Sequence, residues 1–369
     1  MTTRVFLAFS ILEAVLIGAI FLLYPKITRH GLLFGVYVGE EASSGAEARR
    51  ITRSWYRGMV AWIVASVVVG AALGAALSHP AAAVVPPLLL LPGFLVLYLL
   101  AYRRARSLAR PGDPPPAVAV LAEGPVTTAL FPAAALAVAV ASGLFAVAYS
   151  WNVYDLLPDR VPTHFGLSGA PDAFRPKSFL TVMLSPLLTL VVGVGIAGVA
   201  WLTARAKRSL RYPASRASMI AQARFRRAMT RLLCWLSLIV SLFLTVVSVS
   251  TVRVGLGRAE TLPPAVLVLA AALLVVALGG VVSIAVRYGQ GGARLEETGT
   301  GARLTNGLAD NRHWVLGMFY VNREDPSFLV EHRFGLGYTR NLGNAKAVAL
   351  VGGFVLVVLA LVILALAAT

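Results

Sequence analysis

The densest set of reactive side chains lies between residues 151 and 178, where Asp155, Asp159, His164, Ser168, Asp172, Arg175 and Lys177 fall within one short segment. His164 with Asp159 and Asp172 offers one nitrogen and two carboxylates, a donor set that suits zinc. The same histidine can serve as a general base if Asp172 orients its ring. Neither an HExxH motif nor a second histidine at ligand spacing accompanies it, so the metal reading rests on one nitrogen. A third reading needs no reaction: the polar side chains hydrogen-bond one another and pin a rigid loop. Pro158, Pro162, Pro171 and Pro176 exclude a continuous helix, while Gly166 and Gly169 permit tight turns. None of these readings implies an organic cofactor.

A second set spans Trp314 to Asn341. Trp314–Val321 and Phe328–Val330 are strand-like, and Asn322–Ser327 between them has turn chemistry, which predicts a small β-hairpin. Trp314, Gly317, Tyr320, Asn322, Asp325, Arg333, Gly335, Gly337 and Asn341 are the residues expected to organise it. Gly335-x-Gly337 beside Arg333 and Arg340 is no phosphate loop, because no strand–GxGxxG–helix unit surrounds it. Its mixed charge suits a protein partner better than nucleic acid. Glu13 is the one acid inside an apolar span, where ionising costs several kcal/mol. It reads either as a member of a proton path or as a protonated carboxyl bonded to a neighbouring helix. Arg205–Arg231 holds nine positive residues and no acid. It reads as a surface-lying helix on anionic headgroups or as a plain basic loop.

The run Leu157-Pro158-x-x-Val161-Pro162-x-His164-Phe165, then Gly169-x-Pro171-Asp172 and Lys177, resembles the signature of a bacterial membrane domain of unknown function shared with SdpI-type toxin-immunity proteins. The likeness covers about 30 residues following a membrane span. It implies a multi-span membrane protein without established enzymatic activity. SdpI-type members protect a cell from a secreted peptide toxin and can signal to a membrane-tethered repressor. The 314–341 pattern, with Phe34-Gly35-Val36, is similar to a second module found in longer relatives. SdpI itself is shorter and lacks that module.

These loops need a scaffold, and composition names its class. The chain has 369 residues, 58% hydrophobic and 13% charged, with mean hydropathy +0.78. An average soluble domain is roughly 25% charged. Apolar runs of about 20 residues match the hydrocarbon layer as helix, whereas barrel strands would alternate over about ten. Eight such runs can be marked: Val5–Tyr24, Gly58–Leu77, Ala81–Tyr102, Val126–Ser150, Phe179–Leu202, Leu232–Val252, Pro264–Val286 and Ala347–Ala368. The expectation is an all-α integral membrane protein of about eight transmembrane helices, with the β element on the cytoplasmic side before the last helix. Pro86, Pro87 and Pro92 mark the third run as kinked or partly re-entrant.

The domain reading follows these runs: an N-terminal three-helix region (1–125) with loop 25–57, a central region (126–286), a cytoplasmic module (287–346) and a last helix (347–369). Residues 111–125 form a Pro-rich connector. The first run is followed by Tyr24-Pro25-Lys26 and reads as a retained helix.

Net charge is +17, carried between the apolar runs. Assigning alternate connectors to opposite faces puts 27 Lys and Arg on one side and 6 on the other, which accounts for all 33. By the positive-inside rule the basic connectors are cytoplasmic, while both termini and the His164 loop face outward. The lone cysteine, Cys234, excludes an intrachain disulfide. The functional expectation is a non-enzymatic sensor or immunity-type protein in the bacterial cytoplasmic membrane. It binds an extracytoplasmic peptide or small molecule through Asp155–Lys177, and relays it through the fourth and fifth helices to the basic loops. The alternatives are a transporter using Glu13 and an outward-facing metal hydrolase centred on His164.

Overall fold

The computed structural model describes residues 2–77, 85–109, 117–118, 130–166, 168–205, 210–211, 216–297 and 311–367. Helices dominate: α1 (Thr2–Ile27), α2 (Glu40–Ser43), α3 (Ala46–Leu77), α4 (Val85–Arg106), α5 (Leu130–Asn152), α6 (Phe179–Ala204), α7 (Arg216–Gly255), α8 (Ala265–Tyr288), α9 (Ala293–Glu297) and α10 (Ala345–Ala367). The strands are short: β1 (Leu32–Leu33), β2 (Val36–Tyr37), β3 (Ala117–Val118), β4 (Arg160–Phe165), β5 (Pro171–Pro176), β6 (Leu210–Arg211), β7 (Trp314–Val315), β8 (Phe319–Tyr320), β9 (Leu329–Glu331) and β10 (Tyr338–Arg340). They pair antiparallel as β1–β2, β3–β6, β4–β5, β7–β8 and β9–β10. Seven helices, α1 and α3 to α8, are long and apolar enough to cross a membrane among the described residues; α10 is a 23-residue helix with a shorter apolar stretch, Ala345–Leu361. The chain is an all-α membrane protein with small strand pairs.

Two compact units interleave along the chain. One comprises 1–121, 207–225 and 285–343; the other comprises 122–206, 226–284 and 344–369. Residues 285–343 thus fold with the N-terminal helices. Most of the Pro-rich connector 111–125, the start of the third and fourth apolar runs and parts of 205–231 lie outside the described residues.

In the first unit, α1, α3 and α4 pack together. From Val85 onward the third apolar run is one continuous helix, α4, with Pro92 inside it. Pro86 and Pro87 sit in its first turn, where a missing N–H costs nothing. Pro92 leaves the Leu88 carbonyl without its helical donor, and one residue further on the Trp62 indole N–H from α3 donates to the Leu89 carbonyl at 2.8 Å. A ring cluster closes the end of the bundle. Phe334 is 2% exposed and meets Tyr24, Phe34, Trp55, Phe94 and Tyr98, with centroids 4.7–6.5 Å away.

In the second unit, α5 and α6 form the most extensive pair, joined by α7 and α10. Small residues and hydroxyls hold the seam, as expected where lipid removes the hydrophobic drive between helices. Ser185 and Ser248 share a 2.7 Å hydrogen bond, Ser237 donates to the Gly193 carbonyl at 3.1 Å, and Thr245 donates to the Ser142 carbonyl at 3.5 Å. A Cβ on Gly193 would lie 2.4 Å from Ser241 Oγ, so the hydroxyl would have to turn aside to admit one.

Arg216–Arg231 is not a separate surface-lying helix but the first turns of α7. Its apolar face is already used within the first unit: Ala221 and Phe225 are buried, and the Phe225 ring lies 6.1 Å from Tyr338. Arg224, Arg227 and Arg231 remain exposed on another face.

Candidate functional site

The segment 151–178 folds as a β-hairpin, a form that its prolines concealed. A two-stranded sheet has an unpaired edge on each strand, and Pro162, Pro171 and Pro176 are tolerated there. Leu157 and Val161 enter a small core with Val182, Met183 and Val252, so the hairpin base rests on α6 and α7. Lys177 locks that base. Its Nζ donates to the Leu157 carbonyl at 2.9 Å and lies 5.3 Å from the centre of the Tyr154 ring, while its backbone N–H donates to the Asp159 carbonyl at 2.7 Å. At the tip, Gly169 has φ +78, and its carbonyl accepts from the Leu262 N–H at 2.8 Å. Ser178 caps α6 by accepting from the Thr181 N–H at 3.1 Å. Both ends of the hairpin are therefore fixed.

His164 lies where the strand register shifts, paired with Ala173 between irregularities on either side. Bulges of this kind re-aim side chains. Here they bring His164 Nδ1 to 2.5 Å from Asp172 Oδ1, with the two side chains 68% and 51% exposed. Asp159 is not in this group. It precedes Arg160, which pairs with Pro176 at the hairpin's opposite end, and five strand residues span about 16 Å. The three-ligand set drawn from the sequence is not assembled, and no group of three His, Cys, Asp or Glu is positioned to hold a metal among the described residues. Asp155 lies in the turn that follows α5 and is exposed. What remains is a dyad on an exposed hairpin, in which the Asp172 carboxylate meets Nδ1 and orients the ring.

Glu13 lies on α1 with its side chain exposed rather than inside the helix bundle.

The second motif forms a buried polar knot. The expected pairing of 314–321 with 328–330 is corrected: β7 turns back onto β8 through Leu316 and Gly317 (φ +53 and +68), and β9 pairs instead with β10 across Gly335 and Gly337 (φ +99 and +103). Positive-φ residues at Leu316, Gly317, Gly335 and Gly337 thus close a three-residue and a six-residue turn where a single six-residue turn was expected. Asn341 is fully buried and ties the pieces. Its Nδ2 donates to the carbonyls of Asn322 and Asp325, both at 2.8 Å, and its Oδ1 accepts from the N–H groups of Asn322 and Gly343 at 3.0 and 2.9 Å. The Tyr320 hydroxyl donates to Asp325 Oδ2 at 3.0 Å. Arg333, 1% exposed, donates to the Gly35 carbonyl at 3.3 Å and to Asn311 Oδ1 at 2.7 Å, with its guanidinium 4.7 Å from the Trp314 ring centre.

Three residues central to this knot carry no motif in the sequence. Arg29 pairs with Glu331 at 3.0 Å, both side chains about 5% exposed, and donates to the carbonyls of Gln290 and Gly291 at 3.1 and 2.7 Å. Gln290, fully buried, donates to the His332 and Gly337 carbonyls and accepts from the Gly337 N–H at 2.8 Å. The available signals were an arginine just past an apolar run and a glutamine inside Gly-Gln-Gly-Gly.

Burial pushes the His332 imidazole down to about 4. An unfolded histidine titrates near 6.5, so the unfolded chain takes up a proton that the folded module refuses. This stability is complete above about pH 6.5 and falls as pH drops toward 4, by about 3 kcal/mol at most. Thermal melts of purified protein are expected to lose stability over that window, with His332→Gln flattening the slope. An unchanged slope in that variant would assign the acid sensitivity elsewhere.

Comparison with known families finds a domain of unknown function (DUF1648) over residues 142–190 and a family of unknown function (DUF5808) over residues 323–348. The first covers the end of α5, the hairpin and the start of α6. The second covers β9, β10 and the entry to α10. No curated protein matches the chain, and no solved structure matches it.

Proposed function

We propose that this chain is a receptor of the sensing or immunity type in the bacterial cytoplasmic membrane, and that the β4–β5 hairpin meets its ligand outside the cell. The observation that carries this reading is the exposed His164–Asp172 pair on a hairpin fixed at both ends. A surface ion pair contributes about 0–1 kcal/mol to stability, too little to explain a register shift built around it. Held ready, the same pair supports recognition: Asp172 fixes the ring and Nε2 is presented to a donor or anion. Phe174, 46% exposed on β5, adds an apolar contact beside it. The free edges of a two-strand sheet accept an extended peptide as a further strand. A secreted peptide is therefore the ligand class that fits best.

The basic connectors orient the hairpin outward under the positive-inside rule. α5 and α6 leave the hairpin base as the tightest pair in their unit, and they are the inward route for the signal. At the far end of α6, Arg205 stacks on Trp201 at 3.8 Å, where the basic stretch begins. Exposed Arg224, Arg227 and Arg231 fit anionic headgroups on that side, and the 314–341 surface fits a protein partner.

The test is genetic. Cells lacking the gene and complemented with wild type, His164→Ala or Asp172→Asn would be challenged with envelope-active peptides. Wild type is expected to protect or to alter transcription, and His164→Ala to weaken the response about tenfold to a hundredfold, the worth of a charge-assisted hydrogen bond. Identical sensitivity and transcription across all strains would overturn the reading. Its orientation is checked separately: Thr163→Cys in a Cys234→Ala background should react with an impermeant maleimide on intact cells.

A further inference from the structure

Charge ends abruptly on both helices of the α3–α4 pair. On α3 the last charged residue is Arg57, and Gly58–Leu77 carries none. On α4 nothing charged occurs from Val85 to Tyr102, after which Arg103, Arg104 and Arg106 follow. The two boundaries sit at one level, because Arg104 Nη1 donates to Ser54 Oγ at 3.2 Å across the pair. That level is where hydrocarbon gives way to headgroups.

An open cleft of about 1170 Å³ lies there, and its lining combines Arg50, Arg53, Arg57 and Arg104 with Gly58 and Leu97. All four arginines are exposed, and Glu47 is the one acid on the lining, 4.0 Å from Arg50. Four guanidinium groups against one carboxylate leave an excess of three positive charges in a single concavity. They repel one another unless an anion joins them. Guanidinium forks match phosphate oxygens two at a time. Gly58 supplies no side chain, so Leu97 approaches to 2.7 Å of the point a Cβ would occupy, and the cleft gains an apolar wall rather than a polar one.

We infer that this cleft binds an anionic phospholipid, its headgroup phosphate among Arg50, Arg53, Arg57 and Arg104 and an acyl chain against Gly58 and Leu97. The site is separate from the hairpin and from the basic face of α7, and it stands whether or not the hairpin binds a peptide. A soluble phosphate would use the arginines but would leave the apolar wall without a purpose.

Full-length protein, stripped of lipid in an uncharged detergent, is titrated with phosphatidylglycerol or phosphatidylcholine of equal chain length and read by native mass spectrometry. Phosphatidylglycerol is expected to be retained and phosphatidylcholine not. Arg53→Gln/Arg57→Gln/Arg104→Gln should weaken retention about fivefold per arginine at low salt, whereas Arg253→Gln/Arg258→Gln, exposed at the opposite end of α7, should leave it unchanged. Competition by glycerol phosphate at concentrations comparable to the lipid would overturn the lipid assignment, as would equal retention of the two lipids. Retention lost only in the α7 variant would move the site elsewhere. Should the cleft variant fail to fold, the wild-type lipid and competition arms still decide.

Discussion

Glu331→Ala is expected to destabilise the unit containing α1, α3 and α4 by about 3–5 kcal/mol, the cost of stranding a buried charge by removing its partner. Arg29 and Glu331 meet at 3.0 Å with about 5% of either side chain exposed, so water cannot replace the lost carboxylate. Arg29 would keep the Gln290 and Gly291 carbonyls, and these soften the loss without cancelling the charge. Arg29→Met should be worse, because it strands both a carboxylate and two carbonyls. The double variant Arg29→Met/Glu331→Leu removes both charges, and is expected to recover part of the loss relative to Arg29→Met alone. A double-mutant cycle on melting temperature, with hydrogen exchange at the Gly337 amide as the local readout, checks all three. If each single change shifted stability by less than about 1 kcal/mol, the pair would behave as a surface salt bridge and the buried knot would be wrong.

How far this fold can be read from residues depends on the distance over which each part is decided. The membrane helices are legible because their cause is local: an uninterrupted apolar run of about 20 residues has few other uses. Pro92 made the third run look broken, yet α4 runs through it, packed against α3, where the Trp62 indole bonds to the Leu89 carbonyl 27 residues away. The His164–Asp172 pair was named from composition, but the register shift that joins it and excludes Asp159 is a property of two strands together. In the second motif, Trp314, Arg333 and Asn341 were recognisable as special, yet their partners were not. Arg29 bonds to Gly291 across 262 positions, and Arg333 bonds to Gly35 across 298. No periodicity or turn signal carries information over such separations. The strand pairing went astray for a related reason: Leu316 has no chemical mark of a left-handed residue, so the turn beside Gly317 was invisible.

That turn meets a second one like it, and the meeting yields the other large effect: Gly35→Ala should cost about 2–5 kcal/mol, from an unfavourable backbone region plus overpacking. Phe34 and Gly35 have φ +45 and +80, a two-residue turn joining β1 to β2. Leu316 and Gly317 repeat the pattern between β7 and β8, and the two turns face each other. The Tyr98 hydroxyl lies between them, 3.2 Å from the Phe34 carbonyl and 2.8 Å from that of Leu316. A Cβ on Gly35 would fall 2.6 Å from the Gly317 carbonyl oxygen and 2.8 Å from its Cα, both backbone atoms that cannot swing aside. Gly39 provides the control, since its φ of +88 is similar but nothing lies within 4 Å of the added carbon. Gly39 combines that φ with ψ +159, a region essentially reserved for glycine, so Gly39→Ala should show this backbone penalty alone, about 1–3 kcal/mol. The difference between the two variants, read from thermal melts under one condition, isolates the steric part. Equal losses would mean that the turns do not touch, and Phe34, held at positive φ and 2% exposed, would then lack the neighbour that offsets its strain.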